Sequence, residues 1–273
     1  MPHPGTPIAW PLRAWFAVEV FFGISAVFSI GLDPANTSTN FAWNIQPVVM
    51  ASVLGAYYIS SALLFVLPLF ARRWEMIRVM ILPTALFSTA ELIATVLHWS
   101  RFSIGTVQFT GWFLSYLLPP PIFIGYYFWQ ERRARQLASV VPNEPLPSDV
   151  RRALIHWGGL LGILSIFFFI FPQALIAIAP WQMTALTVRA FVSWLLAVAT
   201  LMLSMAYEND RTRVLVGTPM LILIFPVVTI QIARYADQVH FANVALFVFY
   251  GITLVAFALG IYLARAGWRR SLR

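Results

Sequence analysis

Runs of about twenty apolar residues recur along the whole of this chain, the length at which a helix crosses the hydrocarbon core of a bilayer. Eight such runs are expected as helices, over 14–31, 47–70, 76–97, 109–130, 153–171, 186–206, 214–233 and 241–264. They are continuously apolar rather than alternating, which argues against barrel strands. The chain is 60% hydrophobic and only 10% charged, against about 25% charged in soluble domains. A soluble protein of this composition would expose large apolar patches. The stretch from Ala14 to Gly31 is longer than a secretory core segment, carries Glu19 and has no small-x-small site after it. It is read as a retained first helix.

The basic residues orient the spans. All eighteen are arginine. Fifteen fall at the N-terminus, in the even-numbered connections and in the tail; the other connections hold Arg101, Arg189 and Arg234. The positive-inside bias then places both termini in the cytoplasm, in what is expected to be a bacterial cytoplasmic membrane. The net charge of +8 is expected to meet anionic lipid headgroups. No motif points to nucleic acid. Cysteine is absent, which excludes disulfides, thiol catalysis and thiolate metal sites. Trp43, Trp74, Trp99, Trp112, Trp129, Trp157, Trp181 and Trp268 fall near span ends, as an aromatic belt does.

The chain divides into two similar halves. Residues 131–152 carry five arginines and three prolines, Pro142, Pro145 and Pro147, and read as a cytoplasmic linker. Ser148 is placed to cap the next helix. Trp43 and Trp181 precede the second and sixth spans, Pro83 and Pro219 open the third and seventh, and His98-Trp99 and Arg234-Tyr235 close them. The expected fold is an all-α integral membrane protein of eight transmembrane helices. Two parallel four-helix repeats, 1–130 and 153–273, would flank the linker, and an even span count gives both copies one orientation.

The third helix carries the main chemical signal. Thr84, Ser88, Glu91, Thr95 and His98 are spaced 4, 3, 4 and 3 apart and share one helical face. A carboxylate inside a span is costly and usually faces protein or water. Two readings are open: a polar crevice entered from the outside, or hydroxyls bonded to their own helix with Glu91 in one buried pair. Arg189, Arg234 and Gln231 are the candidate partners of Glu91. Glu19 is expected near the cytoplasmic interface, paired with Arg13 or hydrated, toward the leaflet opposite Glu91. Asp237-x-x-His240 supplies two potential metal ligands without a supporting cluster. His98 and His240 lack a shared haem-binding context, and no cofactor is expected. Asn36-Thr37-Ser38 has the form of a glycosylation sequon.

Other features concern packing and hinges. Pro119-Pro120-Pro121 interrupts the fourth span, and Pro219 and Pro226 bend the seventh. Ala51-x-x-x-Gly55, Ala56-x-x-x-Ser60 and Gly158-x-x-x-Gly162 offer flat faces for close helix contact, within the chain or with a membrane partner or second copy. Three functions are consistent with these features. The favoured one is a non-catalytic membrane module, such as an accessory subunit, assembly factor or sensor. The alternatives are a small-solute or proton-coupled transporter using the third-helix stripe, and a lipid-modifying enzyme.

Overall fold

A computed structural model describes residues 5–137 and 144–271. Among these residues the chain is all-helical, without a named strand. The helices are α1 (Trp10–Ala26), α2 (Thr37–Asn40), α3 (Val48–Phe70), α4 (Ile81–Leu97), α5 (Val107–Leu117), α6 (Pro119–Gln136), α7 (Ser148–Ile170), α8 (Pro172–Ile176), α9 (Ala185–Glu208), α10 (Thr218–Arg234) and α11 (Val244–Ser271). A π-helical turn, Val27–Leu32, extends α1.

Among the described residues, seven segments are long and apolar enough to cross a membrane: Trp10–Leu32, Val48–Phe70, Arg78–Leu97, Ser148–Ile170, Ala185–Glu208, Leu215–Arg234 and Val244–Gly267. The remaining expected span is divided into α5 and α6 at the triple proline. Residues 119, 120 and 121 have no N–H to give, so the carbonyls of Ser115, Tyr116 and Leu117 lose their helical partners.

Burial separates centre from rim. The buried share is 72% in the α9 span and 67% in the α4 span, but 22% in α7 and 28% in α11. The centre is formed where α4 crosses α9 and α3 crosses α10. Helices α1 and α7 lie outside α3 and α9, and α11 packs on α10. Exposed Phe70, Ile163, Phe128 and Phe247 on the outer faces are suited to lipid.

Local chemistry sets the ends. Thr106 caps α5 by accepting from the Phe109 N–H at 3.1 Å. Thr184 and Thr187 form a reciprocal capping box at the start of α9. Ser148 is the first residue of α7 and makes no capping bond, so the expected cap is not formed there. The cap position is Pro147. Both ends of the expected linker are helical: Glu131 to Arg135 belong to α6, and Arg151 and Arg152 to α7. Pro142 lies outside the described residues.

The arginine-rich end is tied by charge. Arg78 bonds Glu208 through Nε at 2.6 Å and Nη2 at 2.7 Å, and reaches Glu131 at 3.3 Å. Arg213 meets Glu208 at 2.9 Å. Thr6 donates through Oγ1 to Glu75 at 2.8 Å, fastening the N-terminal segment beside the Trp74 backbone.

The tryptophans are not one class. Trp99, Trp129 and Trp157 are exposed, as interfacial anchors are, whereas Trp43, Trp74, Trp112 and Trp181 are buried. At the opposite end the loop amides reach the tryptophan segments. Ser103 N–H donates to the Ala42 carbonyl at 2.9 Å, and His240 N–H to the Pro180 carbonyl at 2.8 Å.

Candidate functional site

A cavity of about 460 Å³ lies among α1, α3, α4 and α5. Such a volume suits a small organic molecule. Its wall is mainly apolar and aromatic, with Glu19, Tyr58, Ser61, Thr84, Ser88 and Tyr116 among its polar residues. It reaches the surface between α1 and α5, where Phe21, Ile24 and Val107 are exposed. Asn40 and Gln108 line it toward the end opposite the arginine-rich one.

Two irregular helices frame this space. The π turn after α1 contributes Ser29, and the last turn of α5 before the prolines contributes Leu114, Ser115 and Tyr116. Rings close the inner wall. Phe87 and Trp194 lie 4.0 Å apart between centroids, Tyr58 meets Trp194 edge-on at 4.8 Å, and Trp112 meets Tyr116 at 4.4 Å.

Glu19 sits nine residues into α1, about 14 Å along the helix at 1.5 Å per residue. It is 8% exposed, lines the cavity, and its Oε1 has no hydrogen-bond partner. The expected interfacial position and Arg13 pairing are corrected here. The helix begins at Trp10, which puts Glu19 near mid-span. Arg13 is occupied elsewhere, donating to the Leu69 and Ala71 carbonyls at 2.6 and 2.8 Å and closing the end of α3.

Glu91 lies ten residues into α4. It is 1% exposed and neither carboxylate oxygen has a partner. It does not line the cavity. Tyr58 and Tyr116, whose hydroxyls bond each other, both lie within its electrostatic reach. Tyr116 also senses Glu19.

The third-helix stripe is split by its surroundings. Thr84 and Ser88 face the cavity. Thr95 accepts from Trp112 Nε1 at 2.9 Å and donates to the Glu91 carbonyl at 2.8 Å. His98, at the end of α4, meets Arg189 Nη1 at 2.6 Å. Burial, then Arg189 and Arg101, hold the imidazole below the usual histidine range.

The proposed partners of Glu91 are engaged elsewhere. Arg189 also donates to the Phe169 carbonyl at 3.0 Å. Arg234 donates to the carbonyls of Gly31 and Leu32 at 2.9 and 3.1 Å and to Gln231 Oε1 at 2.7 Å. Gln231 Nε2 donates to the Gly31 carbonyl at 2.8 Å, and its Oε1 accepts from Ser52 at 2.6 Å. This clamp ties α10 to α3 and to the end of the first span. Among the described residues, no group of three or more His, Asp or Glu gathers as a metal site would require.

Reasoning from sequence missed Tyr58, Tyr116, Trp112 and Trp194. The available signal was Tyr57-Tyr58 inside an apolar run, since a buried phenol usually finds a partner. No protein-family model, curated protein or solved structure matches the chain.

Proposed function

We propose that this is an eight-span membrane protein of two parallel repeats, both termini cytoplasmic, that handles a small, largely apolar solute in its first repeat. The α5–α6 pair supplies the fourth crossing, and the arginine pattern supplies the orientation. Exchange of the two halves maps the α3–α10 contact onto α9–α4, and α1–α3 onto α7–α9. Capping positions Pro47 and Thr184, Met80 and Gly217, and His98 and Tyr235 each differ by 137. At this register Glu91 aligns with Val228 and Thr95 with Ile232, one step from the match that the prolines suggested.

The observation that carries the reading is the inequality of two equivalent places. A second cavity of about 20 Å³ lies among Trp157, Leu160, Leu161, Leu164, Met202, Ile252 and Val255. The first helices of the halves start 138 apart, at Trp10 and Ser148. Trp157 then stands where the first half has Glu19, and Leu161 where it has Gly23. With the 137 register, Ile252 stands where it has Ser115. One groove is filled by large apolar side chains, and the other is left open around a costly acid. Glu19 and the adjacent phenols supply a route for proton exchange, which favours a solute carrier over a passive membrane module.

The chain has no cysteine, so single cysteines report cleanly. Ser61→Cys and Ser115→Cys are expected to react with a small membrane-impermeant thiosulfonate added outside vesicles, while Ile252→Cys stays inert. Inert cysteines at 61 and 115, or equal labelling at all three positions, would overturn the reading.

A further inference from the structure

The cavity is polarised in what it offers a ligand. Six hydroxyls on its wall, those of Ser25, Ser29, Ser61, Thr84, Thr110 and Ser115, each give their proton to a carbonyl of their own helix. Their lone pairs remain for a guest. The amide donors are engaged too. Asn40 Nδ2 bonds Ser29 and Asp33, Gln108 Nε2 bonds the Thr39 carbonyl, and Trp112 Nε1 bonds Thr95. Unpartnered acceptors are present: Glu19 Oε1 and Asn40 Oδ1.

Charge has the same polarity. Among the described residues, no arginine or histidine lines the space. Arg13, the basic residue on α1, is held by the carbonyls of α3. Glu91, outside the lining of the cavity, is a second unpartnered carboxyl group. The rings of Tyr58, Phe87, Trp112 and Trp194 line the same volume, and aromatic rings attract a cation placed over their faces. An anion entering here would find most side-chain donors already engaged and no arginine or histidine in the lining among the described residues. A neutral apolar guest would leave Glu19 Oε1 without a partner.

We propose that the cavity binds a lipophilic organic cation, a bulky amine or quaternary onium, with its charge at Glu19 and its apolar body among the aromatic rings. This rests on the solute-site reading above. A carboxylate without a counter-ion is expensive inside a bilayer, so the empty site is most stable with the Glu19 proton in place. Entry of a permanent cation lets that proton leave to bulk water. One positive charge enters, one leaves, and the charge of the cavity is unchanged. Proton and cation therefore compete for one carboxylate, which is the elementary requirement of exchange.

The test uses two probes of one shape and opposite charge, tetraphenylphosphonium and tetraphenylborate, with neutral triphenylphosphine oxide as a third. Equilibrium binding is measured on the full chain in lipid nanodiscs. Tetraphenylphosphonium is expected to bind saturably and to weaken toward tenfold for each unit of acidification, because one proton is exchanged. Binding is expected to weaken tenfold or more in Glu19→Gln, and tetraphenylborate is expected to show no saturable site. If Glu19→Gln does not fold, the pH dependence of the unaltered protein carries the test. Equal binding of the neutral or anionic probe overturns the cation assignment while leaving the solute site standing. Failure of all three probes also overturns it, and an inert cysteine at position 61 would then remove the solute site as well.

Discussion

Arg189 Nη1 approaches His98 Nε2 at 2.6 Å, joining the end of α4 to the second turn of α9. Arginine has no acceptor atom, so Nε2 must receive the bond and the ring proton must sit on Nδ1. Protonated His98 cannot accept it. Burial first, then Arg189 and Arg101, hold the folded-state value below the usual histidine range. The unfolded chain therefore binds the proton more readily. The contribution to stability is complete above the ordinary value of about 6.5 and is lost as pH falls through the lowered folded value. Thermal unfolding in detergent from about pH 7.5 to about pH 5 should show a loss of about 1 kcal/mol, small because the pair is partly exposed. His98→Gln keeps an acceptor and should flatten this dependence. An unchanged pH profile in that variant would remove His98 from the account.

The arginine-rich end turns on Arg78, which meets Glu208 with two nitrogens and Glu131 with a third contact. Glu208 has a side chain only 4% exposed. Removing Arg78 leaves Glu208 with Arg213 alone, and Arg78→Ala should cost about 2 kcal/mol, less than a fully isolated buried charge. Arg78→Lys should recover less than half of that, since an ammonium cannot form the two-pronged contact. Melting temperatures of the two variants check this, and full recovery by lysine would show that only the charge matters.

Gly55 fixes how closely α3 meets the π turn. A Cβ at this position would lie 2.4 Å from the Ile30 carbonyl oxygen and 2.5 Å from Gly31 Cα. Both obstacles are backbone, so neither can turn aside. Gly55→Ala is expected to destabilise by about 3 kcal/mol, at the upper end for an added methyl group. Gly125→Ala, where nothing lies within 4 Å, should be close to neutral. A small effect at Gly55 would mean that the helix and the turn separate freely.

Much of the fold was legible because lipid demands long, apolar, self-satisfied helices, and prolines mark where they fail. The break at Pro119 and the close faces at Gly55 and Gly158 follow from residue chemistry alone. The site was less legible. Arg13 looked like a boundary, yet it is helical and bends back onto α3, and that shift of one turn moves Glu19 from the interface to mid-span. Four members of the polar stripe, Thr84, Ser88, Glu91 and Thr95, are buried. The stripe could not tell which members meet the cavity, because that depends on where α1 and α5 stand apart. Tyr58 and Tyr116 are 58 residues apart, and nothing local links them.

Glu91 supplies the sharpest contrast between stability and function. Both of its oxygens are buried without partners, at a cost that an apolar side chain of similar length would avoid. Glu91→Met should therefore raise stability by about 1–3 kcal/mol, the usual relief from an unsatisfied buried polar group. Glu91→Gln retains an unsatisfied polar head and should gain much less. Removal of this second carboxyl should at the same time weaken tetraphenylphosphonium binding, though less than Glu19→Gln does, because Glu91 does not touch the cavity. Residues kept for function against stability show this opposition. Thermal denaturation and binding on the same preparations measure both quantities. A fall in melting temperature for Glu91→Met would mean that the carboxyl group holds the helices together, and its place in the site would then be structural.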